Sequence, residues 1–141
     1  LRHPELNFEE KPLRWQPELA TSSAWDASSL RDPAEFGAAR GPLPASDFER
    51  LFGGFRNPPY PMRWQDGLFA EWCTALGLLP GEDVQVLDWL GPWTPTQGIN
   101  PLRCDWSNYF DDGLDWWGVW CLTIHNPKRQ TLAALAASAT D

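Results

Sequence analysis

Residues 104–125 read Cys104-Asp105-Trp106-Ser107-Asn108-Tyr109-Phe110-Asp111-Asp112-Gly113-Leu114-Asp115-Trp116-Trp117-Gly118-Val119-Trp120-Cys121-Leu122-Thr123-Ile124-His125. Four of the ten tryptophans of the chain fall in this stretch. Its second half has the pattern of a strand. Trp116, Gly118, Trp120, Leu122 and Ile124 fall on one side and Trp117, Val119, Cys121, Thr123 and His125 on the other, because side chains alternate along a strand. Both sides are largely apolar, which predicts a central strand covered on both faces. Its first half is acidic and turn-like, with Asp111-Asp112-Gly113 supplying residues that a tight reversal prefers. A rigid aromatic strand that presents an acidic, aromatic loop suits a binding surface better than a catalytic centre.

The flanking segments supply partners for that strand. Asn126-Pro127-Lys128-Arg129 fits a type I turn, with Asn first and Pro second. Beyond it, Thr131–Ala139 is helical by Ala and Leu propensity but strand-like by position, since a short turn after a strand favours a hairpin. We read it as a strand whose small alanines leave room for neighbouring tryptophans. Upstream, Val84–Leu90 reads as a further strand. Trp64, Leu68, Trp72 and Leu76 recur every four residues, with Phe69 and Ala75 widening the stripe, so residues from about 61 or 63 to 76 form the main helix. Gly77 suits the left-handed position after its last turn. A shorter helix is expected from a Ser46 or Asp47 cap through Phe48, Leu51 and Phe52, stopped by Gly53-Gly54.

Residues 1–45 hold six of the fourteen prolines, which disfavours long helices and central strands. Phe8–Trp15 reads as an edge strand and Pro33–Arg40 as a short helix capped by Asp32. The anchors Phe8, Leu13, Trp15, Leu19, Trp25, Leu30 and Phe36 predict that this segment wraps the domain. The expectation is one domain over 1–141, with a wrapping segment 1–45 and a core 46–141. Its fold class is α+β, an antiparallel sheet with one main amphipathic helix packed on it.

Composition narrows the function. A net charge of −8 over 141 residues argues against nucleic acid, which needs a cationic footprint. Three cysteines without Cys-x-x-Cys spacing argue against a disulfide framework and a structural zinc site. With no apolar run long enough for a bilayer and no apolar leader segment, no membrane partner and a cytoplasmic setting are expected. Cys121 and His125 share a strand face but stand ~13 Å apart along it, too far for a thiolate–imidazole pair. The carboxylates of 105–115 do not match the spacing of a calcium loop, and solvated turn carboxylates account for them. No cofactor, metal site or catalytic residue is assigned.

Protein recognition fits the loop better. Interface centres favour aromatic anchors, and carboxylates around one suit a cationic target. The candidate partner-binding set is Asp105, Trp106, Tyr109, Asp111, Asp112 and Asp115, with Trp93 from the proline-bearing loop 91–103. Clustered carboxylates beside tryptophans also admit a carbohydrate-binding or hydrolytic module, and a structural subunit of an assembly is a third reading.

The motifs Asp105-Trp106-Ser107-Asn108-Tyr109-Phe110-Asp111-Asp112-Gly113, Trp116-Trp117-Gly118-Val119-Trp120, Leu122-Thr123-Ile124 and the terminal Ala137-Ser138-Ala139-Thr140-Asp141 resemble those of small, acidic, Trp-rich bacterial immunity proteins from polymorphic-toxin and secreted-effector systems. The resemblance covers about forty residues and implies a non-enzymatic role: tight binding of one cognate toxin or effector and occlusion of its active site or substrate access; the carboxylates of the loop add the expectation that this partner has a basic surface.

Overall fold

The computed structural model describes residues 12–33, 46–56, 66–90, 105–111 and 119–138, and the side chains of all of these except 54–56 and 66–69. Four strands, β1 (Ser23–Ala24), β2 (Gln85–Asp88), β3 (Val119–Asn126) and β4 (Thr131–Ser138), form one antiparallel sheet in the order β1-β2-β3-β4. Two helices, α1 (Asp47–Arg56) and α2 (Asp66–Leu76), complete an α+β architecture.

The aromatic stretch supplies the sheet's centre. The described part of its strand pairs with β2 on one side and β4 on the other. The strand continues to Asn126, which pairs with Thr131 across the hairpin. Residues 127–130 form the turn, where Arg129 N–H donates to Asn126 Oδ1 at 3.0 Å and Gln130 adopts φ 54°. An Asn side chain caps such a reversal well because its carbonyl reaches the backbone a few residues on. The turn decides the fate of residues 131–138. Hairpin geometry overrides alanine's helical propensity, and the segment is a strand.

The two faces of the sheet are covered unequally. On one face Leu122, Ile124 and Val86 pack with Trp25, Phe48, Leu51, Phe52, Cys73 and Leu78 in the main core. On the other, Val119 packs with Trp106 and Phe110, flanked by Trp89, Leu90, Cys121 and Ala20. Farther along that second face His125 and Leu132 are exposed. The expectation of full cover on both faces therefore holds at one end of β3 only.

Three further expectations are corrected. Gly53-Gly54 does not stop α1, which runs on to Arg56. Phe48, Leu51 and Phe52 are fully buried, and that packing outweighs the ~1 kcal/mol that each helical glycine costs. The shorter of the two expected helices thus supplies Phe48, Leu51 and Phe52 to the main core. On α2, Cys73 is buried while Trp72 and Leu76 are half-buried against the main core; Trp64 and the side chains of Leu68 and Phe69 lie outside the described residues. The sheet's N-terminal strand is Ser23–Ala24, and the described part of the expected edge strand Phe8–Trp15, residues 12–15, makes only the isolated bridge of Trp15 to Ser107. Among the anchors expected in that segment, Trp25 and Leu30 are buried, whereas Leu13, Trp15 and Leu19 are exposed. Of the expected helix Pro33–Arg40 only buried Pro33 is described. Gly77 does take the left-handed conformation after α2, with φ 71°.

Candidate functional site

The described residues of the acidic loop, 105–111, are held rigidly. Ser107 is fully buried in extended conformation, forms an antiparallel bridge with Trp15, and its Oγ accepts from Tyr109 N–H at 3.1 Å. That bond caps the single helical turn Asn108–Phe110 in the way serine caps a longer helix. Trp106 is buried and its indole N–H donates to the Trp89 carbonyl at 2.8 Å. Phe110 fills the same small core, with its ring centre 5.5 Å from that of Trp106.

The segment Pro12–Gln16 is strapped across this turn. Gln16 N–H donates to the Trp106 carbonyl at 2.7 Å and Arg14 N–H to Asn108 Oδ1 at 2.7 Å, while Asn108 Nδ2 donates to the Pro12 carbonyl at 3.0 Å. Asn108 thus uses both ends of its carboxamide to pin a backbone about ninety residues away in sequence. The strap brings Trp15 against Trp106, edge to face, at 5.0 Å.

Large side chains remain exposed on the strap, on the short turn Pro17–Leu19 that follows it and on the turn Asn108–Phe110. Leu13 is 66% exposed, Trp15 59%, Leu19 51% and Tyr109 49%. Tyr109 stands edge-on against Phe110 at 4.9 Å, so its exposed ring has a fixed base. Asp105 and Glu18 are exposed and Asp111 half-buried; Arg14 is the cation of the same two segments. Three carboxylates against one guanidinium leave the surface acidic.

Among the sequence candidates, Asp105, Tyr109 and Asp111 lie on this surface, whereas Trp106 lies beneath it and acts by supporting Trp15. Asp112, Asp115 and Trp93 lie outside the described residues. Leu13, Trp15 and Leu19 are not assigned a site from sequence, although the setting of Leu13 and Trp15 between Pro12 and Pro17 is a signal. A segment with prolines so close together cannot add a strand to the sheet that would bury them.

Two other polar clusters serve the fold. Arg50 lies 3.3 Å from Asp88 and 4.5 Å over the Trp120 ring, inside the contact between α1 and the sheet. At the opposite end of β3, Glu82 accepts from Asn126 Nδ2 at 2.7 Å and from Arg129 at 2.6 Å, and Arg129 Nη1 donates to the Thr74 carbonyl at 2.6 Å. These bonds tie the last turn of α2 to the β3–β4 hairpin.

His125 is exposed, with Nδ1 3.4 Å from Gln85 Oε1, while Cys121 packs toward Trp106 and Phe110. Among the described residues no group of three or more His, Cys, Asp or Glu side chains could hold a metal ion, and no helix is long and apolar enough to cross a membrane. No family model, curated protein or solved structure matches the chain.

Proposed function

We propose that this chain is an immunity protein: a non-catalytic inhibitor, acting in the bacterial cytoplasm, that docks an acidic aromatic surface onto a basic toxin and occludes its active site. The observation that carries this reading is the exposure of Leu13, Trp15, Leu19 and Tyr109 on two segments tied together by the hydrogen bonds that Asn108 and Gln16 make and by the Trp15–Ser107 bridge. Rigid aromatic side chains make good anchors because little rotamer freedom is lost when a partner covers them. The net charge of −8 and the carboxylates Glu18, Asp105 and Asp111 favour a cationic partner and speed its approach. The resemblance of residues 105–124 to immunity proteins points the same way.

The test is neutralisation. A toxin purified on this chain as bait should lose activity at one equivalent of the wild-type protein, and the complex should loosen as salt rises. Full toxin activity in the saturated complex would remove the inhibitor reading. The exposed indole of Trp15 is also what a sugar ring would stack on. That second reading predicts saccharide-dependent quenching of tryptophan fluorescence, and the docking reading predicts none.

A further inference from the structure

The strap is held differently from the rest of the described chain. Every residue from Pro12 to Leu19 is exposed, so the segment buries little apolar surface of its own. Its pairing with the 105–111 turn is the isolated bridge of Trp15 to Ser107, and Pro17 has no N–H with which to carry that pairing further. The strap's backbone is gripped at one carboxamide. Asn108 accepts from Arg14 N–H at 2.7 Å and donates to the Pro12 carbonyl at 3.0 Å. Next to it, Gln16 N–H donates to the Trp106 carbonyl at 2.7 Å, and the Trp15 ring stands edge-on to Trp106.

Both sides of this contact are anchored independently of it. On one side the Trp106 indole is tied to the Trp89 carbonyl, and Ser107 and Phe110 are buried. On the other, Ala20 packs against the small core, and buried Trp25 donates its N–H to the Val86 carbonyl at 3.0 Å. Between Gln16 and Ala20 lies the single turn Pro17–Leu19, closed by Ala20 N–H on the Pro17 carbonyl at 3.0 Å. A segment with exposed side chains and few apolar contacts opens at a lower free energy than the whole domain, and its regained backbone freedom offsets much of the hold.

We propose that Pro12–Gln16 is a lid over Trp106, that it swings on the Pro17–Leu19 turn while the sheet and the 105–111 turn stay folded, and that the Asn108 carboxamide is its latch. The lid does not rest on the inhibitor reading. Its consequence for docking does: opening parts Leu13 and Trp15 from the turn that bears Tyr109, so a partner meets the complete surface only with the lid shut.

The experiment is amide hydrogen exchange of the full chain, resolved by residue with NMR over a range of low urea concentrations. Gln16 N–H reports the lid, while Trp25 N–H and Trp89 N–H, which donate to the Val86 and Cys121 carbonyls, report the sheet. In the wild type Gln16 should be protected on the order of 100-fold less than Trp25 and Trp89. Its exchange should also be nearly insensitive to urea, because a small opening exposes little surface. Asn108→Ala leaves the Gln16 bond itself in place, yet should speed exchange there roughly 30-fold, the effect of losing two ordinary hydrogen bonds, with an unchanged circular dichroism spectrum. Asn108→Asp, which keeps the acceptor for Arg14 N–H and loses the donor to Pro12, replaces that variant if it does not fold and should act in the same direction. Gln16 protection equal to that of Trp25 and Trp89, with the same urea dependence, overturns the lid, because the strap would then open only with the whole domain. Unchanged Gln16 exchange in the Asn108 variants overturns the latch.

Discussion

Arg50 and Asp88 form an ion pair at 3.3 Å in which neither partner reaches bulk water freely, their side chains being 16% and 6% exposed. The guanidinium lies over Trp120 at 4.5 Å and within 5.8 Å of the Trp25 ring centre, and Asp88 Oδ1 accepts from Leu90 N–H at 3.0 Å. The pair thus joins α1, β2 and β3 through one set of contacts. Burial pushes the Asp88 carboxyl above its ordinary value, against the Leu90 N–H and the Arg50 charge, and pushes the Arg50 guanidinium down.

Such a pair costs most when half of it is removed. Arg50→Met leaves the buried Asp88 carboxylate without the guanidinium that offsets its burial and should destabilise the fold by roughly 3 kcal/mol at pH 7, read from urea unfolding. The double variant Arg50→Met/Asp88→Asn should recover most of that loss. Additive losses in the double variant would show that the two residues act separately.

The hairpin end makes an opposite prediction for pH. Hydrogen bonds from Arg129 and Asn126 hold the Glu82 carboxyl below its ordinary value. A lowered folded-state value contributes stability that is fully present above the ordinary glutamate range and is lost as pH falls through the lowered value. Glu82→Gln should therefore lower stability at pH 7 and flatten its decline on acidification. Asp88, with its raised value, works the other way: its contribution is present below the ordinary aspartate value and is lost as pH rises through the folded one. Urea titrations from pH 7 to pH 3 separate the two residues, since only Glu82→Gln should flatten the acid limb.

Gly77 is irreplaceable for two reasons. Its φ of 71° is costly for any residue with a Cβ, and a Cβ there would run into the Asn126 carboxamide. Gly77→Ala should cost at least about 1–2 kcal/mol from the backbone term alone. A melting temperature equal to that of wild type would mean that the α2–hairpin contact readily gives way.

How much of this was legible in the sequence follows from the range of the interactions. Residues 119–126, the Asn126-Pro127 turn and the strand after it could be read because alternation and turn chemistry are local. Gly77 was legible for the same reason. Continuation of α1 through Gly53-Gly54 was not, because it depends on Phe48, Leu51 and Phe52 being buried by distant strands. Nor was the candidate surface complete. Asp105, Tyr109 and Asp111 stand out as polar and aromatic residues of one loop, but Trp15 joins them through long-range contacts: the bonds of Asn108 to the backbone of residues 12–14, the Gln16–Trp106 bond and the bridge to Ser107. Trp106 looked like an anchor by composition, and a single hydrogen bond to the Trp89 carbonyl places it in the core.

The central claim is that the Trp15–Tyr109 surface binds a basic protein and silences it. Its most direct test is titration of the captured toxin with wild-type protein and with Trp15→Ala/Tyr109→Ala, following affinity and toxin activity together. The account predicts that the double variant folds normally, loses about 2 kcal/mol or more of binding free energy, and neutralises the toxin only at correspondingly higher concentration. Unchanged affinity and unchanged neutralisation in the variant would contradict it.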